Sequence, residues 1–157
     1  MGVTVAAPEH AAVVARLLYD FNTEFIPPRA TVEEFEGRFR RLLNHPEVLV
    51  LISGTPEEPL GFALVTTRPS PCFDGPLAVL DELYIVPHLR GRGLGGELLD
   101  EMEARLRERE CGEIHINVDE DDVDARRFYE AHGYSDTEVG SEYRMFLYAK
   151  EFPASGG

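Results

Sequence analysis

Positive charge is scarce in this chain. Fifteen Lys and Arg stand against 29 Asp and Glu, a formal net charge of −14 over 157 residues. A surface of that sign repels phosphate backbones and anionic lipid, which argues against nucleic acid and charged membranes as general partners. Long apolar runs are missing too: none nears the ~20 residues that span a bilayer, so no membrane partner is expected. The opening MGVTVAAPEH has neither a basic start nor a long apolar stretch, and Ala6 stands where a myristoylation motif wants Ser or Thr. An unexported, cytoplasmic protein is the reading. Cysteine is nearly absent. Cys72 and Cys111 form no metal-like pair, and a chain of this length can fold around one core without a disulfide, so both are expected as reduced thiols and no metal is expected.

What is present is periodic. A short strand is expected at residues 3 to 6 and a helix over 8 to 24, with Val13, Val14, Leu17, Leu18 and Phe21 at helical spacing. Pro27 and Pro28 break it. Thr31 and Glu34 make a capping box ahead of a second helix carrying Phe35, Phe39, Leu42 and Leu43. Residues 48 to 52 and 62 to 65, separated by Gly54, Pro56 and Pro59, read as an antiparallel hairpin. Prolines exclude regular structure from 68 to 76. A strand follows at 77 to 86, then a helix with the stripe Leu94, Leu98, Leu99, Met102 and Leu106, ended by Gly112. Residues 113 to 118 read as a strand, 122 to 132 as a short helix, and 134 to 136 and 143 to 149 as the last strands. The expected fold is α/β: one domain over residues 1–157, with a mixed, mostly antiparallel sheet of six to seven strands flanked by about four helices.

The segment from Arg90 to Gly96, RGRGLGG, joins a strand to a helix. Its glycines expose successive backbone N–H groups where the helix dipole adds partial positive charge, so phosphate is the natural occupant. Arg90 and Arg92 add cations suited to phosphate oxygens in an otherwise acidic chain. A turn that merely lets the helix pack close to its strand is the plainer alternative. Gly91, Gly93 and Gly96 also fit G-x-G-x-x-G, with Asp119 where a ribose-binding acid would stand, but too few residues follow Asp119 to complete a dinucleotide fold. A Walker loop needs Gly-Lys-Ser or Gly-Lys-Thr, and neither occurs.

Two motifs resemble one family. Arg90, Gly93 and Gly95, after LDELYIVP, match the Arg/Gln-x-x-Gly-x-Gly/Ala signature of the GCN5-related N-acetyltransferase (GNAT) superfamily. DVDARRFYEAHGY at 122 to 134 resembles its Asn-x-x-Ala-x-x-Phe-Tyr-Glu-x-x-Gly-Phe/Tyr, with Asp122 where Asn is usual. The resemblance implies a site for acetyl-CoA, with coenzyme A as product. Leu83, Tyr84, Ile85 and Val86, the turn of Arg90, Gly91, Arg92, Gly93, Leu94, Gly95 and Gly96, and Asp122, Ala125, Phe128 and Tyr129 would bind it. It implies that strands 77 to 86 and 113 to 118 splay apart, so that the pantetheine arm pairs with the backbone of 83 to 85. It also implies a homodimer formed through sheet edges, for which the apolar last strands are suited.

An amine acceptor has a free pKa of ~10.4 and must lose a proton before it attacks a thioester. Asp81 and Glu82 are the candidate bases, since acids inside an apolar run are costly to bury without a partner or a task. Strand alternation sends them to opposite faces, so only one faces the thioester unless a bulge intervenes. An acid capped by a neighbouring Arg is the alternative for each. Tyr129 holds the family's general-acid position toward the leaving thiolate, with aromatic packing as its alternative. His115 shares a strand face with Asn117 and reads as polar filler rather than a base. Cys72 as an acyl carrier is disfavoured, because the family transfers directly. The acids at 119 to 122 and 124 read as a solvated helix N-terminus, since Asp124 stands where a calcium loop needs glycine.

DELYIVPHLRGRGLG and SEYRMFLY resemble the diamine and polyamine branch, which implies Glu142 and Tyr143 as substrate residues. The expected activity is direct acetyl transfer to the primary amine of a small cationic acceptor: a polyamine, a diamine or an aminoglycoside-like molecule. A protein N-terminal or lysine acetyltransferase, or a non-catalytic acetyl-CoA-binding domain, are the alternatives.

Overall fold

The periodic segments fold as five strands and four α-helices among residues 2 to 154, which the computed structural model describes. Contacts divide the chain into two units, Met1–Ile116 and Asn117–Gly157.

The first unit runs β1 (Val3–Val5), α1 (Ala11–Asn22), α2 (Val32–Leu42), β2 (Val48–Gly54), β3 (Pro59–Arg68), β4 (Leu77–Ile85), α3 (Leu94–Glu108) and β5 (Glu113–Ile116). Spatial order follows chain order, antiparallel from β1 to β4 and parallel between β4 and β5. A parallel partner needs a crossover, and α3 supplies it. The first helix is expected from residue 8, but Pro8–His10 close a tighter 3-10 turn in which the Ala7 N–H donates to His10 Nδ1 (2.9 Å), and α1 begins at Ala11. The capping box ahead of α2 forms as read: Glu34 N–H donates to Thr31 Oγ1 and Thr31 N–H to Glu34 Oε2, both at 3.1 Å.

Alternation in β2 divides the core between the two faces of the sheet. Val50 and Ile52 join Val14, Leu18, Phe39, Phe62 and Tyr84 under α1 and α2. Leu49 and Leu51 point the other way, toward α3 and its buried Leu98, Leu99, Met102 and Leu106. Removing each such side chain from water contributes about 1.5–3 kcal/mol. Gly61 lets β3 meet the end of β4 closely, since a Cβ there would fall 2.1 Å from the Tyr84 carbonyl oxygen.

Two irregularities in β4 shape the site. Leu64 pairs with Glu82 and Val65 with Leu80, so Asp81 is an inserted bulge residue. The β4–β5 ladder ends at Leu80 and Ile116, so, among the described residues, 81 to 85 keep β3 as their only strand neighbour.

In the second unit, Asp122 caps α4 (Val123–Ala131) by accepting from the Ala125 N–H (3.1 Å), and Gly133 leaves the helix at a left-handed φ of 91°. The sheet corrects the expectation of six to seven strands. Residues 134 to 136 and 143 to 149 form no strand among the described residues, where a single bridge joins Thr137 and Arg144. A strand exists by virtue of a neighbour that takes its N–H and C=O groups, and apolar composition alone names no neighbour. Tyr143, Met145, Phe146, Leu147 and Tyr148 are exposed instead.

Candidate active site

The unpaired edge of β4 offers backbone groups. Val86 N–H donates to Leu60 C=O (2.9 Å), so by antiparallel alternation the groups of Tyr84 also face β3 while those of Leu83 and Ile85 face outward. Arg90 Nε takes the Ile85 carbonyl (2.9 Å). Side chains along the same stretch serve the core: Tyr84 and Ile85 are buried, and Val86 packs against the α1/α2 cluster.

Beyond Val86 a 3-10 turn, Pro87–Leu89, leads into the glycine turn. Gly91 (φ 76°) and Gly93 (φ 84°) are both left-handed, and Gly93 is the N-cap of the 15-residue α3. A Cβ at either position would meet no atom within 4 Å, so the turn opens onto free space. Leu94 is buried and anchors the helix start, with Gly95 and Gly96 half-buried behind it. An approaching anion would meet unobstructed N–H groups at a helix terminus. The two arginines differ. Arg92 is exposed, whereas Arg90 is engaged within the protein: besides Ile85 O, its Nη2 pairs with Glu24 Oε1 at 2.7 Å and its guanidinium lies 5.6 Å from the Tyr84 ring centre.

The bulge changes the reading of the two acids. Asp81 accepts a hydrogen bond from Thr66 Oγ1 (2.8 Å); partial burial raises its pKa and that bond holds it down in part. Glu82 lies two residues before Tyr84, on the α1/α2 face, and is half-buried. Burial first, and then the adjacent Asp81 charge, push its carboxyl up to about 7. The tyrosine beyond it, Tyr84, stacks on Phe21 (5.0 Å), and its phenol is raised by burial and by the Glu24 and Asp20 carboxylates.

On α4, Tyr129 is half-buried, with Phe128 edge-on at 5.2 Å and Tyr134 at 6.0 Å. Asp122 and Ala125 form the helix cap. Glu142 and Tyr143 are exposed in irregular chain. His115 Nε2 meets Glu113 Oε1 on its own strand (3.2 Å), Cys72 is exposed, and Cys111 Sγ donates to Glu113 O (3.3 Å). Among the described residues, no group of three or more His, Cys, Asp or Glu side chains could hold a metal ion, and no helix is long and apolar enough to cross a membrane. Sequence reasoning missed Glu24, read as the last residue of the first helix, which in fact ends at Asn22; its partner is 66 positions away.

The chain resembles known proteins over nearly its whole length. It is 42% identical to a candidate acetyltransferase of Arthrobacter sp. FB24 whose crystal structure superimposes with a TM-score of 0.89, covering 97% of this chain and 96% of that one. The uncharacterized N-acetyltransferase YhfO of Bacillus subtilis is 25% identical over 150 residues, 96% of this chain and all of that protein. The aminoglycoside N(6′)-acetyltransferase type 1 of Klebsiella aerogenes is 34% identical over 93 residues, 55% of this chain and 61% of that protein. The model of the acetyltransferase (GNAT) family matches residues 14 to 134, and the chain belongs to that family of acetyl-CoA-dependent N-acetyltransferases.

Proposed function

We propose that the protein transfers the acetyl group of acetyl-CoA directly to the primary amine of a small cationic acceptor of the polyamine, diamine or aminoglycoside kind. One observation carries this reading: Glu82, its pKa raised to about 7, sits on the α1/α2 face beside the point where β4 loses its parallel partner. A base of that pKa is poised to accept a proton from an ammonium ion at neutral pH. The aminoglycoside acetyltransferase among its relatives and the net charge of −14 support a cationic acceptor.

The thioester supplies the acetyl group when the donor is bound. The outward N–H and C=O of Leu83 and the N–H of Ile85, whose carbonyl Arg90 already holds, pair with the donor's amide groups, while N–H groups of Gly91 to Gly96, with Arg92, hold its phosphates. Glu82 takes the ammonium proton first, and the freed amine nitrogen then bonds to the acetyl carbon as the carbon–sulfur bond breaks. Tyr129, in the family's general-acid position, gives its proton to the departing thiolate, and the second N–H proton, lost as the amide forms, restores the phenol. Asp81 raises the basicity of Glu82 through its charge.

Charge preference is tested with 5-aminopentanoate, pentylamine and 1,5-diaminopentane, which match in length and carry net charges of zero, one and two. With the donor saturating, kcat/KM should follow that order at low salt and converge at high salt, because steering is screened over ~10 Å at 0.1 M ionic strength. Equal turnover of the zwitterion and the dication at low salt overturns the cationic acceptor. Gly93→Val tests the donor site. A β-branched residue resists left-handed φ and projects into the space an anion would enter, so calorimetry should show coenzyme A affinity falling at least ~10-fold. Unchanged affinity removes the donor phosphates from this turn.

A further inference from the structure

Glu24 lies in the loop of residues 23 to 31 between α1 and α2, whose next residues, Phe25 (81% exposed) and Ile26 (56% exposed), project into solvent. Its own side chain is only 16% exposed. The Glu24 carboxylate meets Arg90 Nη2 at 2.7 Å and hydrogen-bonds the Tyr84 phenol. Arg90 in turn grips Ile85 O, at the end of the unpaired edge of β4, and directly precedes the glycine turn. The loop belongs to the face that carries Glu82, whereas Arg90 belongs to the donor turn. One ion pair therefore ties the acceptor side to the donor side. It is held in place by a buried ring, Tyr84, stacked on Phe21 of α1. An apolar loop tip has no intrinsic reason to stay in one place, since exposed aromatic and β-branched side chains gain nothing from water.

We propose that Glu24 is a positioning residue, fixing the α1–α2 loop through Arg90 so that Phe25 and Ile26 stand as a wall for the acceptor. The proposal rests on the reading of the α1/α2 face as the acceptor side. Glu24 touches neither the reacting atoms nor the donor. Arg90 thereby has a task distinct from that of Arg92: it braces the loop while Arg92 meets the anion.

The chain contains no tryptophan, so Phe25→Trp places a single fluorescent reporter on the loop tip. In that background Glu24→Ala should raise the acrylamide quenching constant of the introduced indole by about half or more without any ligand. Arg90→Ala should do the same, and the double variant no more, as expected for two residues acting through one contact. Independently, with kanamycin as acceptor and saturating acetyl-CoA, Glu24→Ala should raise the acceptor KM at least ~5-fold with kcat changed less than about two-fold, while coenzyme A affinity by calorimetry stays within about two-fold. The sign in Arg90→Ala is the sharpest arm. If Glu24 bound the cationic acceptor directly, freeing it from Arg90 would lower KM; if it positions the loop, KM rises. Unchanged quenching in Glu24→Ala, additive effects in the double variant, or a lower KM in Arg90→Ala would each overturn the proposal. Failure to acetylate kanamycin would count against the aminoglycoside acceptor alone, because the quenching arm decides the role of Glu24 without turnover.

Discussion

Glu82→Gln should abolish the rise of kcat/KM through pH 7. A general base works when deprotonated, and burial together with Asp81 pushes this carboxyl up to about 7. The wild-type rate should therefore climb about tenfold per pH unit below that value and level above it, once the amine's own ionisation, common to both proteins, is divided out. In the glutamine variant the climb disappears and kcat/KM at pH 8 falls by ~10² or more. Asp81→Asn removes the like charge and should move the limb to lower pH. Stability moves oppositely to activity. A carboxyl whose folded pKa is raised binds its proton more tightly in the native state, so its contribution is complete below about 4.5 and is lost as pH rises through about 7. Thermal unfolding should show Glu82→Gln gaining on wild type between pH 5 and pH 8. A variant that keeps the wild-type limb would assign the proton to another group.

Tyr129→Phe should cut kcat by ~10² while leaving coenzyme A affinity within about two-fold. The substitution keeps the ring, and with it the edge-on contact to Phe128, and removes the hydroxyl. The loss should depend on the leaving group. An acetyl donor whose thiol is more acidic needs less help in departing, so the variant should recover toward wild type with such a thioester. Unchanged turnover with acetyl-CoA would make Tyr129 a packing residue.

The elements that sequence reveals best are those with their own period. The α3 stripe and the Thr31–Glu34 box are written within a few residues of one another, and both appear where expected. The left-handed glycines of the turn were legible for a similar reason, because a missing side chain at a strand-to-helix junction is a local signal. Alternation alone sent Asp81 and Glu82 to opposite faces. The bulge is a property of pairing, visible only when Leu64 and Val65 meet Glu82 and Leu80 across two strands. The Glu24–Arg90 contact escaped for the same reason, being set by the tertiary fold. The last two expected strands failed at the same step: residues 143 to 149 carry strand-like composition, but nothing within that stretch states which edge, if any, receives it.

The outward groups of Leu83 and Ile85 have a consequence for mutational tolerance. A donor held there is recognised by amides that every residue but proline possesses, while the side chains at those positions face other duties in the protein. Exchanging Ile85 for valine or leucine would test packing and leave the recognition pattern intact, whereas proline at position 83 or 85 would delete a donor N–H outright. This edge can change its letters among apolar residues and still present the same backbone groups, so what it offers is stored in the path of the chain and not in the identity of its residues.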